Sequence, residues 1–96
     1  MIISFGDKGT EHLYHGQKTK ETRKYPGEIT KTALHKLDML NGARELRDLR
    51  LPSGNRLETL RGDLLGFFSI RVNNQWRVVF KWEASQAHEV RLVDYH

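Results

Sequence analysis

The distribution of arginine along this sequence is its clearest indication of a functional site. Eight of the nine arginines lie beyond residue 43, whereas lysine predominates among the basic residues before it. The planar guanidinium of arginine can donate paired hydrogen bonds to phosphate. The whole chain has sixteen basic and twelve acidic side chains, which give a net charge of +4. Because small basic domains bind polyanions readily, the second half of the chain is predicted to contact nucleic acid. The alternative is an ordinary soluble surface with a mild basic excess.

Two neighbouring segments would bring three cations together on one face of a sheet. Residues 66–72 and 76–82 alternate apolar and polar side chains around a two-asparagine turn signal, as the strands of a hairpin do. If the apolar set packs inward, the side chains on the opposite face are Ser69, Arg71, Arg77, Val79 and Lys81. Arg71, Arg77 and Lys81 are therefore predicted to form an anion-binding platform. The alternative is a set of ordinary solvated residues on a half-buried sheet.

The rest of the chain supplies the elements that must position this face. Apolar residues recur at helical spacing from Ile29 to Leu40, which predicts an amphipathic helix over 28–41 that ends at Gly42. The other predicted elements are a first strand at 2–5, a short helix from Asp7 to Gly16, a mobile polar loop over 17–27, a further helical turn over 43–49, and strands over 56–60 and 90–93. This order, β-α-α-β-β-β-β, predicts one α+β domain over residues 1–96, with a twisted, mainly antiparallel sheet and two helices on one face.

Composition excludes several kinds of chemistry. The chain has no cysteine, so disulfides, thiolate nucleophiles and cysteine-based zinc sites are absent. His12 and His15 lie one helical turn apart without an evident third ligand, and neither a metal nor a cofactor is predicted. No apolar run approaches the ~20 residues that span a bilayer, and the N-terminus lacks the pattern of a signal peptide. A cytoplasmic protein without membrane contact is therefore predicted.

Two segments resemble a known family. Residues 69–78 read Ser-Ile-Arg-Val-Asn-Asn-Gln-Trp-Arg-Val, and the chain ends in Val93-Asp94-Tyr95-His96. Together they resemble the HigB-type toxins of the RelE/ParE superfamily, the plasmid maintenance killer proteins. Residues 61–63 with Gly66, and residues 45–49, match the same family in order and spacing. The resemblance extends over the whole chain.

This resemblance implies a toxin of a type II toxin–antitoxin system. Such toxins are neutralised by a helix-turn-helix (HigA-like) antitoxin, and the two proteins together bind operator DNA and repress their own operon. Released toxin enters the ribosomal A site, cleaves translated mRNA without a metal ion or cofactor, and arrests growth. The implied fold is like that of the small microbial ribonucleases, in agreement with helices packed on one face of a sheet.

The resemblance also implies roles for individual residues. Metal-free RNA cleavage requires a base for the 2′-hydroxyl, cations beside the phosphate, and an acid for the leaving 5′ oxygen. Glu58 takes the place of the base, where many relatives have histidine, and Arg71 and Arg77 are predicted to contact the phosphate. His96 is the predicted acid because imidazole titrates near neutral pH, and Tyr95 completes the catalytic set by stacking or hydrogen bonding. The predicted supporting RNA contacts are Arg61, Lys81 and Asp94.

Two of these side chains have structural alternatives. Glu58 is alternatively a surface residue that pairs with Arg56 or Arg71, which would leave the base position unfilled. Arg77 is alternatively a sheet-bridging residue that pairs with Asp94.

The C-terminal tail has two possible geometries. Strict alternation along the last strand places Asp94 and His96 on the side away from Tyr95. Either the strand ends by Val93 and the tail turns, or only Tyr95 faces the arginines.

Two other functions remain open. The first is a non-enzymatic toxin like the gyrase inhibitors of the same superfamily, although these generally lack the terminal Asp-Tyr-His pattern. The second is an attenuated toxin that acts mainly as an antitoxin-binding co-repressor, which the replacement of the family histidine by Glu58 would favour.

Overall fold

The computed structural model describes residues 1–95, and its first regular element is the helix α1 (Lys8–Tyr14). Asp7 caps the N-terminus of this helix, because its carboxylate accepts a hydrogen bond from the Thr10 backbone N–H at 2.7 Å. It ends before Gly16, which adopts the left-handed conformation (φ 73°) that glycine favours at helix ends. The predicted capped helix is therefore confirmed.

The segment predicted as a polar loop over 17–27 contains local structure. A 3₁₀ helix spans Lys20–Lys24, and Tyr25 directly after it is 5% exposed. The Tyr25 hydroxyl lies 3.3 Å from Thr10 Oγ1, and its ring packs edge-on against Trp76 at a centroid distance of 5.7 Å. The segment is therefore not an irregular loop throughout, and the Tyr25 ring anchors its end in the core.

The helix α2 (Gly27–Gly42) matches the predicted amphipathic helix closely. Its buried face consists of Ile29, Ala33, Leu37 and Leu40. Two 3₁₀ segments follow, Leu46–Arg50 and Ser53–Asn55, and the first corresponds to the predicted extra helical turn. They lead the chain from the end of α2 around to the sheet.

A four-stranded antiparallel sheet in the order β1-β2-β3-β4 forms the second half of the fold. Its strands are β1 (Glu58–Thr59), β2 (Phe68–Arg71), β3 (Trp76–Glu83) and β4 (Gln86–Asp94). The predicted meander is confirmed, but the strand expected over 56–60 is reduced to two residues. The reason is local, because Arg56 adopts a left-handed conformation (φ 45°) that is incompatible with a strand.

The predicted first strand is not a regular element. Ile2 and Phe5 form isolated parallel bridges to Ala87 and Val90 on the outer edge of β4. A continuous ladder does not develop, because the cap of α1 follows two residues after Phe5. The N-terminal segment nevertheless shields the backbone of β4, which would otherwise be an open sheet edge.

The main core lies between the two helices and one face of the sheet, as strand parity predicts. Ile70, Val78, Phe80, Val90 and Leu92 from the sheet pack with the buried face of α2. The α+β architecture with helices on one sheet face is thus confirmed. Within residues 1–95, no helix combines the length and the apolar character needed to cross a bilayer.

The opposite face of the sheet is partly covered, which the sequence did not predict. Val79 and Ser69 are fully buried there, and a second apolar cluster joins Val79 to Leu60 and Phe67. Tyr95 packs against the same cluster. The segment from residue 60 to 67 folds back over the sheet, so the platform of exposed cations is narrower than predicted.

Candidate active site

A cavity of about 280 Å³ opens on this second sheet face, beside the small apolar cluster. It is lined by Arg56, Glu58, Arg71, Asn73, Asn74, Arg77 and Tyr95. With three arginines and one carboxylate in its lining, the cavity is suited to bind a phosphate group through guanidinium hydrogen bonds. Four of the five predicted catalytic residues line this pocket.

Arg77 is the most tightly held of the pocket residues. Its side chain is 10% exposed, its Nη1 lies 3.1 Å from Glu58 Oε1, and its Nη2 donates to the Arg56 carbonyl at 2.7 Å. Its Nε is buried and has no hydrogen-bond partner among residues 1–95. Buried donors are normally satisfied, so this guanidinium keeps one donor that the described residues do not use.

Arg71 reaches the pocket from the neighbouring strand. In the β2–β3 register its Cα is the direct partner of the Arg77 Cα, which brings the two cations to the same end of the hairpin. The turn is held by Asn73, whose Oδ1 accepts hydrogen bonds from the backbone N–H groups of Gln75 (2.8 Å) and Trp76 (2.7 Å). Arg71 Nη2 donates to Asn74 Oδ1, so the turn also orients this guanidinium.

Glu58 lies on β1 and forms its ion pair with Arg77. The partners considered from sequence were Arg56 and Arg71, and both line the same pocket without being the cation in this ion pair. The Glu58 side chain is 50% exposed, so its carboxylate lies at the mouth of the cavity. After one hydrogen bond such a carboxylate still has unoccupied acceptor positions, and it can accept a proton from a bound hydroxyl.

The first predicted geometry of the tail, in which the strand ends by Val93, is wrong. β4 continues through Asp94, whose Cα is the direct partner of the Trp76 Cα, and Gln75 Nε2 donates to Asp94 Oδ2 at 3.0 Å. Tyr95 lines the pocket, with its ring centre 5.7 Å from the Arg77 guanidinium carbon. Of these two tail residues, Tyr95 faces the arginines. His96, the predicted acid, lies outside the described residues, and its role stays a prediction.

None of the three predicted RNA contacts, Arg61, Lys81 and Asp94, lines this pocket. Lys81 is four residues along β3 from Arg77, which corresponds to roughly 13 Å of strand. Lys81 pairs with Glu89 at 3.0 Å, and its ammonium lies 5.0 Å from the centre of the Phe67 ring. Arg61 is exposed in the loop that follows β1 and does not line the cavity.

Three pocket residues escaped the sequence-based site prediction. Asn73 and Asn74 were interpreted as a turn signal, which they are, but the same turn places them at the cavity. Arg56 contributes through its carbonyl oxygen as well as its position in the lining. No periodic pattern marks it, because its role depends on a left-handed backbone that only the folded chain fixes.

No cluster of three or more His, Cys, Asp or Glu side chains that could hold a metal ion occurs in residues 1–95. His12, one of the two histidines considered from sequence, has its Nδ1 2.8 Å from Thr19 Oγ1.

Comparison with solved structures identifies the class of fold. A mutant of YafQ from E. coli superposes with a TM-score of 0.60 at 14% identity, covering 98% of this chain and 93% of that one. A chain of the YoeB–YefM complex from Staphylococcus aureus also gives 0.60 at 14% identity, covering 100% and 98%. At this identity the likeness shows the fold alone, which this chain shares with YafQ and with the YoeB–YefM chain.

Sequence comparison identifies the family within that class. The family described as the RelE-like toxin of type II toxin–antitoxin system HigB matches residues 3–96, and the chain belongs to it. "Toxin HigB-1" from Vibrio cholerae is 43% identical over 82 residues, or 85% of this chain and 84% of the relative. "Endoribonuclease HigB" from Proteus vulgaris is 29% identical over 96 residues, the full length of both. The predicted family membership is confirmed.

Proposed function

We propose that this protein is an endoribonuclease toxin that cleaves translated mRNA on the ribosome and acts in the cytoplasm. The observation that carries the proposal is the pocket in which the buried Arg77 lies between Glu58 and Tyr95, with Arg71 at the same end of the sheet. Family membership supports it, as does the name of the Proteus vulgaris relative. The basic pocket is suited to the phosphate of a single nucleic-acid strand.

Glu58 is the proposed general base. One of its oxygens, Oε1, contacts Arg77, and its half-exposed carboxylate has further acceptor sites for the proton of a ribose 2′-hydroxyl. Loss of that proton lets the 2′ oxygen attack the adjacent phosphorus, and the bond from phosphorus to the 5′ oxygen breaks. The products are a 2′,3′-cyclic phosphate and a 5′-hydroxyl. His96 remains the predicted donor of the proton that the leaving oxygen takes up.

Arg71 and Arg77 are the proposed source of transition-state stabilisation. Negative charge grows on the phosphoryl oxygens during attack, and donors that are already fixed stabilise it without reorganising. Arg77 is fixed by the Arg56 carbonyl and by Glu58, so its guanidinium is already oriented before RNA binds. Removal of one such preorganised donor commonly costs ~10²–10³ in kcat.

We further propose that the partner protein is a helix-turn-helix antitoxin with which this toxin binds operator DNA. The type II family supports an antitoxin partner, and the Staphylococcus aureus structure with the same fold is a toxin–antitoxin complex. The test is co-purification with the product of the adjacent reading frame, followed by binding of the complex to the operon's own promoter fragment. Failure of the toxin to enter a complex with that product would contradict the partner.

The nuclease itself is tested with purified toxin in a translation reaction with defined mRNA, read by primer extension. We expect cuts within translated codons, their disappearance in Arg71→Ala, and no change in Arg47→Ala. Arg47 is a matched control because it pairs with Glu45 on an exposed 3₁₀ helix outside the pocket. Intact mRNA with the wild-type toxin would overturn the proposal, and DNA breaks without RNA cleavage would favour a gyrase inhibitor.

A further inference from the structure

Asn55 is a completely buried polar side chain next to α2. Lys36 Nζ on α2 donates to its Oδ1 at 2.5 Å, and its Nδ2 donates to the backbone carbonyls of Leu49 (3.2 Å) and Leu51 (3.5 Å). Both ends of the amide are therefore engaged. A buried amide that lost these bonds would be destabilising, so the side chain is held in one orientation.

The residue after Asn55 carries this constraint into the pocket. Arg56 adopts a left-handed conformation (φ 45°, ψ 58°), which residues other than glycine rarely adopt without support from their surroundings. Its N–H donates to the Ser53 carbonyl at 3.2 Å, and its own carbonyl accepts from Arg77 Nη2 at 2.7 Å. The direction of this carbonyl therefore depends on how the preceding residue is fixed.

We infer that Asn55 is a positioning residue for Arg77, which acts through the backbone of Arg56 and is itself held by Lys36. The inference rests on the proposed function, because Arg77 is one of the two arginines that are proposed to stabilise the transition state. The connection runs from a helix on the core face of the sheet to a guanidinium on the opposite face. It gives α2 a direct role in setting the geometry of the pocket.

Lys36 supports this inference because its placement is unfavourable for a lysine on its own. Burial lowers the pKa of the Lys36 ammonium below its usual range. A side chain of this kind ordinarily extends into water, whereas this one directs its charged end to a buried amide oxygen. Lys31, on the same helix, is exposed and provides a matched control.

The test uses the full chain with Lys36→Met, Lys36→Arg and Lys31→Met, together with Asn55→Ala. Two quantities are measured: steady-state cleavage of mRNA on translating ribosomes, and the ¹⁵N–¹H resonance of the Arg77 Nε, assigned with Arg77→Lys. We expect Lys36→Met to keep its circular dichroism spectrum, lower kcat by ~10-fold with little change in KM, and shift the Arg77 resonance. Lys36→Arg should restore both quantities, and Lys31→Met should alter neither.

The two readouts separate this inference from the proposed function. If the wild-type protein does not cleave RNA, the proposed function fails, but the Arg77 resonance still reports whether Lys36 and Asn55 position it. The inference would be overturned if the Arg77 resonance did not move in Lys36→Met. It would also be overturned if kcat fell only in proportion to the fraction of the protein that remains folded. If Asn55→Ala does not fold, the three lysine variants decide the question.

Discussion

The ring of Tyr95 lies over the guanidinium of Arg77, with 5.7 Å between the ring centre and the guanidinium carbon. The ring also packs against the small cluster around Val79, so it is supported from one side by apolar contacts. A cation over an aromatic face is stabilised by about 0.5–2 kcal/mol, more when both are shielded from water. Tyr95 therefore helps to hold the cation that is proposed to stabilise the transition state.

The first prediction separates this ring from its hydroxyl group. Tyr95→Phe keeps the aromatic face over Arg77, so we expect kcat within ~3-fold of the wild type, whereas Tyr95→Ala should lower kcat by ~10-fold or more. The measurement is single-turnover cleavage of mRNA on programmed ribosomes. A Phe variant as inactive as the Ala variant would show that the hydroxyl itself takes part in the chemistry.

The second prediction concerns the base. Glu58→Gln removes the proton acceptor but keeps the shape and one hydrogen-bond acceptor toward Arg77, so kcat should fall by ~10²–10⁴. Glu58→His restores the residue type that many relatives have, and it should retain activity. Because imidazole loses its proton at a higher pH than a carboxyl group does, the acidic limb of the pH–rate profile should move upward in this variant. An unchanged profile would show that residue 58 is not the base.

Strand alternation was sufficient to predict the two faces of the sheet. Ile70, Val78 and Phe80 pack against α2, and Arg71 and Arg77 lie together on the other face, because a two-residue period leaves few other arrangements. The family resemblance then indicated the chemistry that those arginines are proposed to perform. The assignment of side chains to the two faces depends on local pattern, which a single sequence contains in full.

The parts that could not be predicted depend on contacts between distant segments. The burial of Val79 requires residues 60–67 to fold back over the sheet, and the pairing of Glu58 with Arg77 requires the β1–β2–β3 register. The left-handed Arg56 is similar, because no glycine or asparagine marks that position. Local propensity carries no information about such partners, and so the pocket lining was only partly predicted.

The third prediction compares two cations on the same sheet face. Lys81 already pairs with Glu89 and contacts Phe67, so Lys81→Ala should change kcat/KM by less than ~3-fold. Arg71→Ala should lower it by ~10² or more and should also reduce the salt dependence of RNA binding by about one unit of slope. Binding and cleavage are measured across a series of salt concentrations. Equal losses in the two variants would mean that RNA extends along the sheet toward Lys81.

The fourth prediction concerns stability at high pH. Burial, and to a lesser extent the nearby Asp7, raise the pKa of Tyr25 above 10.0, while its hydrogen bond with Thr10 acts in the opposite direction. The unfolded chain therefore loses this proton at a lower pH than the folded protein does. The stabilisation is complete below about pH 10 and is lost as the pH rises from there through the folded-state pKa.

Tyr25→Phe removes the titrating group and the hydrogen bond to Thr10 but keeps the ring against Trp76. We expect this variant to be less stable by about 1 kcal/mol at neutral pH and to lose less stability than the wild type above about pH 10. The free energy of unfolding in urea is measured for both proteins over the alkaline range. Because lysine titration and Tyr14 affect the two proteins alike, their difference isolates Tyr25. Parallel decline of the two curves would contradict the raised pKa.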